Sequence, residues 1–167
     1  MSLHLRPAIA TDTPVILGFI RELAAYEKLL DHCVATEHSL AVHLFGANPK
    51  AEVIMAEWEG APVGFALFFH NYSSFRAQPG IYLEDIFVKP EFRGVGIGKG
   101  LITTLAKLAV DRDCGRLEWS VLDWNAPAIA FYRNLGAVQM DEWTIMRVTE
   151  DALTRLATLA SQGTING

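Results

Sequence analysis

The sequence predicts a mixed α/β fold: a mostly antiparallel sheet flanked by helices. Three observations point to it. Apolar periodicity runs in the order β-α-α-β-β-β-α-β-α-β, an antiparallel run followed by βαβ connections. The glycine-rich stretch Phe92-Arg93-Gly94-Val95-Gly96-Ile97-Gly98-Lys99-Gly100 follows an apolar run ending Ile86-Phe87-Val88 and leads into a helical pattern. The 167 residues, 51% hydrophobic, suffice for one domain, residues 1–167, with a sizeable core and no internal repeat.

Taken in order, Leu3-His4-Leu5-Arg6 alternates as a short strand. Thr11-Asp12-Thr13-Pro14 starts a helix, with capping side chains and then proline in the first turn. Ile16, Phe19, Ile20, Leu23, Tyr26 and Leu30 then recur at helical spacing. Residues 36 to 46 form a second helix, broken by Ala47-Asn48-Pro49-Lys50. Glu52 to Trp58 and Val63 to Phe69 form a hairpin around Gly60. Asn71 to Gly80 is a polar loop, and Ile81 to Val88 a long strand stopped by Pro90.

After the glycine turn, Leu101, Ile102, Leu105, Leu108 and Ala109 share a helix face. Gly115 opens a strand through Leu122. Asn125-Ala126-Pro127 starts a helix ended by Gly136. Val138 to Val148 is strand-like, Thr149-Glu150-Asp151 caps a last helix carrying Leu153, Leu156 and Leu159, and Gly163 to Gly167 should fray.

Composition excludes several classes of function. No apolar run approaches membrane-spanning length, and Met1-Ser2-Leu3-His4-Leu5-Arg6-Pro7 lacks the regions of a signal peptide. A formal charge of −5 argues against a nucleic-acid surface. Cys33 and Cys114 make no metal-type pair and read as thiols of a reducing, cytoplasmic setting; the five histidines show no metal spacing.

The glycine turn carries the first chemical signal. Backbone N–H groups strung toward one point at a helix start favour a phosphate or pyrophosphate. The Walker A spacing fails, because only three residues separate Gly94 from Gly98 and Gly100 stands where Ser or Thr belongs. The dinucleotide pattern fails at Lys99, which replaces the third glycine. What remains, Arg93-x-x-Gly96-x-Gly98, resembles the acetyl-CoA pyrophosphate loop of the GNAT acyltransferase superfamily.

Two further stretches fit that family in the right order. Tyr82-Leu83-Glu84-Asp85-Ile86-Phe87-Val88 looks like its pantetheine strand. Trp124-Asn125-Ala126-Pro127 through Phe131-Tyr132 to Gly136-Ala137 resembles its second half, with Ala137 where the family has Phe. Glu22-Leu23-Ala24-Ala25-Tyr26-Glu27 and Tyr82-Leu83-Glu84-Asp85 look like the branch of spermidine/spermine and thialysine N-acetyltransferases.

The resemblance implies a GNAT fold and acetyl-CoA as cofactor. Strand residues Ile86, Phe87 and Val88 would hold the pantetheine arm, and the turn Arg93, Gly94, Val95, Gly96, Ile97, Gly98 and Lys99 the pyrophosphate. Asn125, Ala128 and Tyr132 would complete the cofactor contacts. Tyr26, Glu27, Glu84, Asp85, Glu118, Trp119 and Ser120 would line the substrate, a small amine such as a polyamine, diamine or thialysine-like amino acid. The sequence at Glu118-Trp119-Ser120 departs from the eukaryotic members. A homodimer is implied, with the late strand and last helix near its interface.

The chemistry assigns the roles. An alkylammonium with a pKa near about 10.4 must lose a proton before attack, so a base is needed, acting directly or through water. A thiolate with a pKa near about 8.5 leaves more easily beside an acid. The resemblance gives the acid to Tyr132, whose alternative is a core tyrosine beside Phe131. It gives the base to Glu84, with Asp85 as rival because strand neighbours point to opposite faces. Two other readings stay open: acetylation of a protein or peptide amine, and a non-catalytic acyl-CoA-binding module.

Overall fold

The structure is a computed structural model and describes residues 2–160, so the expected fraying of Gly163 to Gly167 lies outside the described residues. The chain divides into two compact units, Met1–Ser120 and Val121–Gly167.

The first unit holds a five-stranded sheet among the described residues, in the order β1 (Leu3–Pro7), β2 (Glu52–Trp58), β3 (Ala61–Ser73), β4 (Gln78–Val88) and β5 (Leu117–Trp119). β1 to β4 are antiparallel, and β5 joins β4 in parallel. Val53, Ile54, Met55 and Ala56 are all buried, as expected of a strand covered on both faces. On one face, Val53, Met55, Phe65, Leu67 and Phe87 pack with Ile16 and Phe19 of α1 (Thr13–Tyr26) and Leu44 of α2 (Glu37–Phe45). On the other lies α3 (Ile97–Asp111), packed so closely that a Cβ at Gly100 would meet Leu3 and Leu5 of β1 at 3.1 and 3.4 Å.

Local chemistry sets the ends of these helices. Thr36 caps α2, its hydroxyl accepting the Ser39 N–H at 3.1 Å while the Ser39 hydroxyl accepts the Thr36 N–H. α1 stops at Tyr26 and does not reach Leu30, because Lys28 takes a left-handed φ of 61° and Leu30–His32 forms a separate 3₁₀ turn.

Two strands are longer than their sequence suggests, and one is shorter. Asn71, Tyr72 and Ser73 pair with Gly80, Pro79 and Gln78, so the polar loop expected over 71–80 shrinks to residues 74–77. Polar side chains there sit on a hairpin whose backbone is paired, and polarity alone does not mark a loop. β5 ends at Trp119, short of Leu122.

β4 carries the irregularity that matters most. Leu67 opposes Asp85 while Phe68 opposes Leu83, so Glu84 is an extra residue with no partner on β3. Such a bulge changes which residues share a face. Gly80, Tyr82, Asp85 and Phe87 lie opposite Asn71, Phe69, Leu67 and Phe65, and therefore face the α1 side; Leu83 and Ile86 face the α3 side.

In the second unit, α4 (Ala126–Asn134) begins at Asn125, whose side chain accepts the Ala128 N–H, with Pro127 in the first turn. Gly136 ends it at φ 94°, its N–H bonding the Arg133 carbonyl. α5 spans Glu150–Ala157. The strand expected over Val138 to Val148 is not formed: these residues run without regular structure, and Val138, Met140, Trp143, Ile145 and Met146 are exposed. Alternation marks a segment able to pair, but a strand also needs a partner to satisfy its backbone.

Candidate active site

The open edge of β4 is the candidate cofactor half of the site. Pairing with β5 stops at Leu83 and Trp119, while β4 continues to Val88. The Lys89 N–H bonds the Val63 carbonyl of β3 at 2.9 Å. Backbone direction alternates along an antiparallel ladder, so Val88 and Ile86 turn their N–H and C=O groups away from β3. These two residues present edge groups that an extended amide-bearing arm can pair with, as an added strand does. Phe87, between them, is a core side chain. The Val88 carbonyl is partly taken: it accepts the Arg93 Nε–H at 2.9 Å.

The turn that follows makes an anion cradle. Gly94 and Gly96 have φ of 80° and 95°, and a Cβ added at either would meet nothing within 4 Å. Left-handed backbone is what demands glycine there. Gly96 is the N-cap of α3 and no side chain caps that end, so the first-turn N–H groups of Ile97, Gly98 and Lys99 are open to an anion. The Arg93 N–H instead closes the preceding 3₁₀ turn on the Pro90 carbonyl at 3.2 Å. Ile97 is buried and contributes only backbone, whereas Val95 and Lys99 are exposed. An uncapped 15-residue helix, an open glycine turn and an unpaired strand edge fit a ligand with a pyrophosphate and an amide arm.

An acidic group lies on the α1 side of the same strand. The bulge turns Asp85 onto that face beside Leu67, while Glu84 is exposed at the bulge itself. Burial pushes the Asp85 carboxyl up to about 6, and the charges of Glu84 and Glu27 push in the same direction. Burial also raises Glu27. The structure thus brings both Glu27 and Glu84 within electrostatic reach of Asp85. Tyr26 is exposed at the end of α1, off the core that its spacing suggested, with the Arg93 guanidinium 5.2 Å above its ring.

Farther along the face lie Glu118 and Ser120. The Glu118 carboxylate lies 2.7 Å from Arg116 Nε and accepts the Asn71 amide at 3.0 Å. The Ser120 hydroxyl is 2.7 Å from the Tyr82 hydroxyl. Trp119 is half-buried and lies opposite Leu83, so the register turns it to the α3 side, away from the acidic face where the sequence expected it. Sequence reasoning did not find Asn71 or Arg116; only the register of three strands brings them to Glu118. In the second unit, Asn125 is buried and its side chain serves Ala128 of its own helix, and the Tyr132 ring lies 5.3 Å from that of Phe131.

Comparison with known proteins gives the family. The model of the acetyltransferase (GNAT) family matches residues 23–137. The chain belongs to the GNAT acetyltransferase family. It is 40% identical over 164 residues to a thialysine N-epsilon-acetyltransferase of Bos taurus, covering 92% of this chain and 96% of that one. It is 35% identical to an L-ornithine N5-acetyltransferase of Arabidopsis thaliana, covering 90% and 86%. Among solved structures, an integron cassette protein of V. cholerae superposes with a TM-score of 0.79 at 28% identity, over 94% of this chain and 98% of that one. This GNAT chain is an N-acetyltransferase, and acetyl-CoA is its acetyl donor. Among the described residues, no helix is long and apolar enough to cross a membrane.

Proposed function

We propose that this GNAT enzyme acetylates a primary amine of a small cationic substrate, a diamine, polyamine or basic amino acid, by direct transfer from the bound cofactor. The observation that carries the reading is the acidic group made by Asp85 on the α1 face of β4, Glu84 at its bulge and Glu27 at the end of α1, next to the strand edge suited to the cofactor arm. Relatives named for thialysine and ornithine acetylation support it.

Bound acetyl-CoA supplies an activated acetyl thioester and a thiolate leaving group. The chain supplies the rest. Glu27 and Asp85 attract and hold an ammonium group. Glu84, exposed at the bulge, takes the proton that the ammonium must lose, through a water. Backbone groups of Ile86 and Val88, and the N–H groups from Gly94 to Lys99, hold the donor. Tyr132, with Asn125 and Ala128 in the matching family stretch, is assigned the proton donor to sulfur, because a phenol is protonated at neutral pH.

The reading also takes residues 1–167 as one domain, supported by a family match that crosses Ser120. It takes the protein as a cytoplasmic homodimer: both cysteines are free thiols, and the exposed Trp143, Ile145, Met146 and Leu153 suit coverage by a second copy.

Thiol release from acetyl-CoA across an amine panel tests it. Spermidine, short diamines, ornithine and thialysine should turn over faster than neutral aromatic amines. Reaction with peptide N-termini alone would move the substrate to a protein amine. No thiol release with any amine would leave a binding module.

A further inference from the structure

Resting on that reading, we infer that Arg116, Glu118 and Asn71 form a subsite for the α-amino and α-carboxylate groups of an amino-acid substrate, placed so that the side-chain amine reaches Asp85. Among the described residues, only two buried side-chain polar atoms lack a hydrogen bond: Asn71 Oδ1 and Arg116 Nε. They lie together. Arg116 Nε is 2.7 Å from Glu118 Oε1, close enough for an ion pair but outside hydrogen-bond geometry. Asn71 Nδ2 donates to that same oxygen at 3.0 Å. Buried polar groups left unsatisfied are uncommon and call for a partner.

Gly80 is the floor of the cluster. A Cβ there would come within 2.4 Å of Asn71 Oδ1 and 3.1 Å of Arg116 Cγ. The missing side chain lets an amide from β3 and a guanidinium leading into β5 converge on one spot of β4. Arg76 adds a second guanidinium at the same end, its Nε 3.0 Å from where a Cβ on Gly115 would stand.

The register gives the length of the ligand. Glu118 lies opposite Tyr82, and Tyr82 and Asp85 share the α1 face. Three residues of strand separate them, about 10 Å at ~3.3 Å per residue. A basic amino acid spans on the order of 8 Å from terminal nitrogen to carboxylate carbon, at ~1.5 Å per bond. Side chains at each end close the difference.

The charges give the class. A diamine carries a second cation, which Glu118 alone could take. An amino acid carries an anion as well, which suits Arg116, whose planar fork matches a carboxylate. With the α-ammonium on Glu118 and Asn71 Oδ1, the four charges alternate around the cluster. No covalent step is involved.

The test compares each amino acid with its decarboxylated counterpart: ornithine with putrescine, and lysine with cadaverine. Wild-type kcat/KM should favour the amino acid. Arg116→Gln should lower kcat/KM for ornithine by about 10- to 100-fold, through KM, and change putrescine by less than about threefold. Glu118→Gln should weaken both. Gly80→Ala should reproduce the Arg116→Gln pattern by moving the two side chains, and Asn71→Ala with Gly80→Ala should recover part of it by making room. Melting temperatures identify any variant that fails to fold, and calorimetric binding of ornithine to folded Arg116→Gln gives a second readout.

Equal losses on ornithine and putrescine, or none, would overturn the subsite. Turnover of putrescine without ornithine would overturn it while leaving the small-amine reading intact. Failure of both amines would remove both proposals.

Discussion

The Arg93 guanidinium lies 5.2 Å above the Tyr26 ring while its Nε donates to the Val88 carbonyl at 2.9 Å, so one side chain ties the end of α1 to the end of β4. A second ring, Phe87, lies 5.8 Å from the same group. Its motif position suggests a phosphate contact, but its side chain is engaged between the aromatic end of α1 and the end of β4.

Replacement of Arg93 should therefore act on both ligands. An exposed cation–π contact contributes about 0.5–1 kcal/mol, and the hydrogen bond to Val88 a similar amount. Arg93→Ala should lower the melting temperature by about 2–4 °C per kcal/mol lost. It should also raise KM for the amine, because Tyr26 and Glu27 lose their tether. Arg93→Lys keeps the charge but not the fork, and should recover less than half of the effect. Steady-state KM for amine and for acetyl-CoA, measured beside melting curves, checks it; a change in acetyl-CoA KM alone would return Arg93 to the phosphate.

Asp85 makes stability depend on pH. Its folded pKa is about 6 against an ordinary 3.8, raised by burial and then by the Glu84 and Glu27 charges. Between those values the folded state keeps a proton that the unfolded chain has lost. Stability from this group is thus full below about pH 4 and falls as pH rises toward 6. Asp85→Asn removes the cost and should stabilise the protein at pH 7.5 by on the order of 1–3 kcal/mol, with no gain at pH 4. Denaturant unfolding at the two pH values measures it. Lost activity with gained stability is the expected pairing at a functional carboxylate.

The parts of the fold legible in the sequence were those fixed by local patterns. β2 runs over Glu52–Trp58 as the short apolar run and its flanking turns require, and α3 starts at the glycine turn because the chain needs positive φ there. What escaped was set by pairing. In Leu83-Glu84-Asp85-Ile86 two acidic neighbours break the alternation, but only the register with Leu67 and Phe68 shows that Glu84 is the extra residue. That bulge decides which carboxylate faces α1, a question the sequence left open between Glu84 and Asp85. Asn71 on β3 and Arg116, just before β5, meet across β4, with no local signal. Val138 to Val148 shows the converse: the alternation is present, but no pairing completes a strand among the described residues.

The glycine turn yields a prediction about strain. Gly96 has open space around its missing side chain, so crowding within the fold is not what forbids a larger residue. Its φ of 95° is. A non-glycine residue in left-handed backbone costs about 1–2 kcal/mol. Gly96→Ala should lower the melting temperature by a few degrees and weaken acetyl-CoA, because relaxing φ turns the Ile97 and Gly98 N–H groups aside. Gly98, within the first turn of α3 at ordinary φ, should tolerate Ala with less loss of stability. Calorimetric affinity for acetyl-CoA in the two folded variants compares them; equal affinity to wild type in Gly96→Ala would remove the turn from cofactor binding.

Tyr132 tests the enzymatic mechanism most directly. It lies in the last half of α4, half-buried, with its ring against Phe131, and the helix is fixed by the Asn125 cap at one end and Gly136 at the other. Its carbonyl accepts the Leu135 and Ala137 N–H groups, so the backbone is held independently of the hydroxyl. Tyr132→Phe keeps the ring and removes only the donor. A phenol that protonates or hydrogen-bonds a departing thiolate acts mainly in the transition state, so kcat should fall by about 10²- to 10⁴-fold with little change in acetyl-CoA affinity. Packing predicts the reverse: a tyrosine held only by its ring would leave kcat unchanged, and one whose hydroxyl is structural would lose melting temperature together with cofactor affinity. Rapid-mixing measurement of thiol release with the best amine, at several pH values, separates these outcomes. The deficit should shrink with a donor whose leaving thiol is more acidic, since such a thiolate needs less help to depart. Near-wild-type kcat in folded Tyr132→Phe would assign protonation of the thiolate to water.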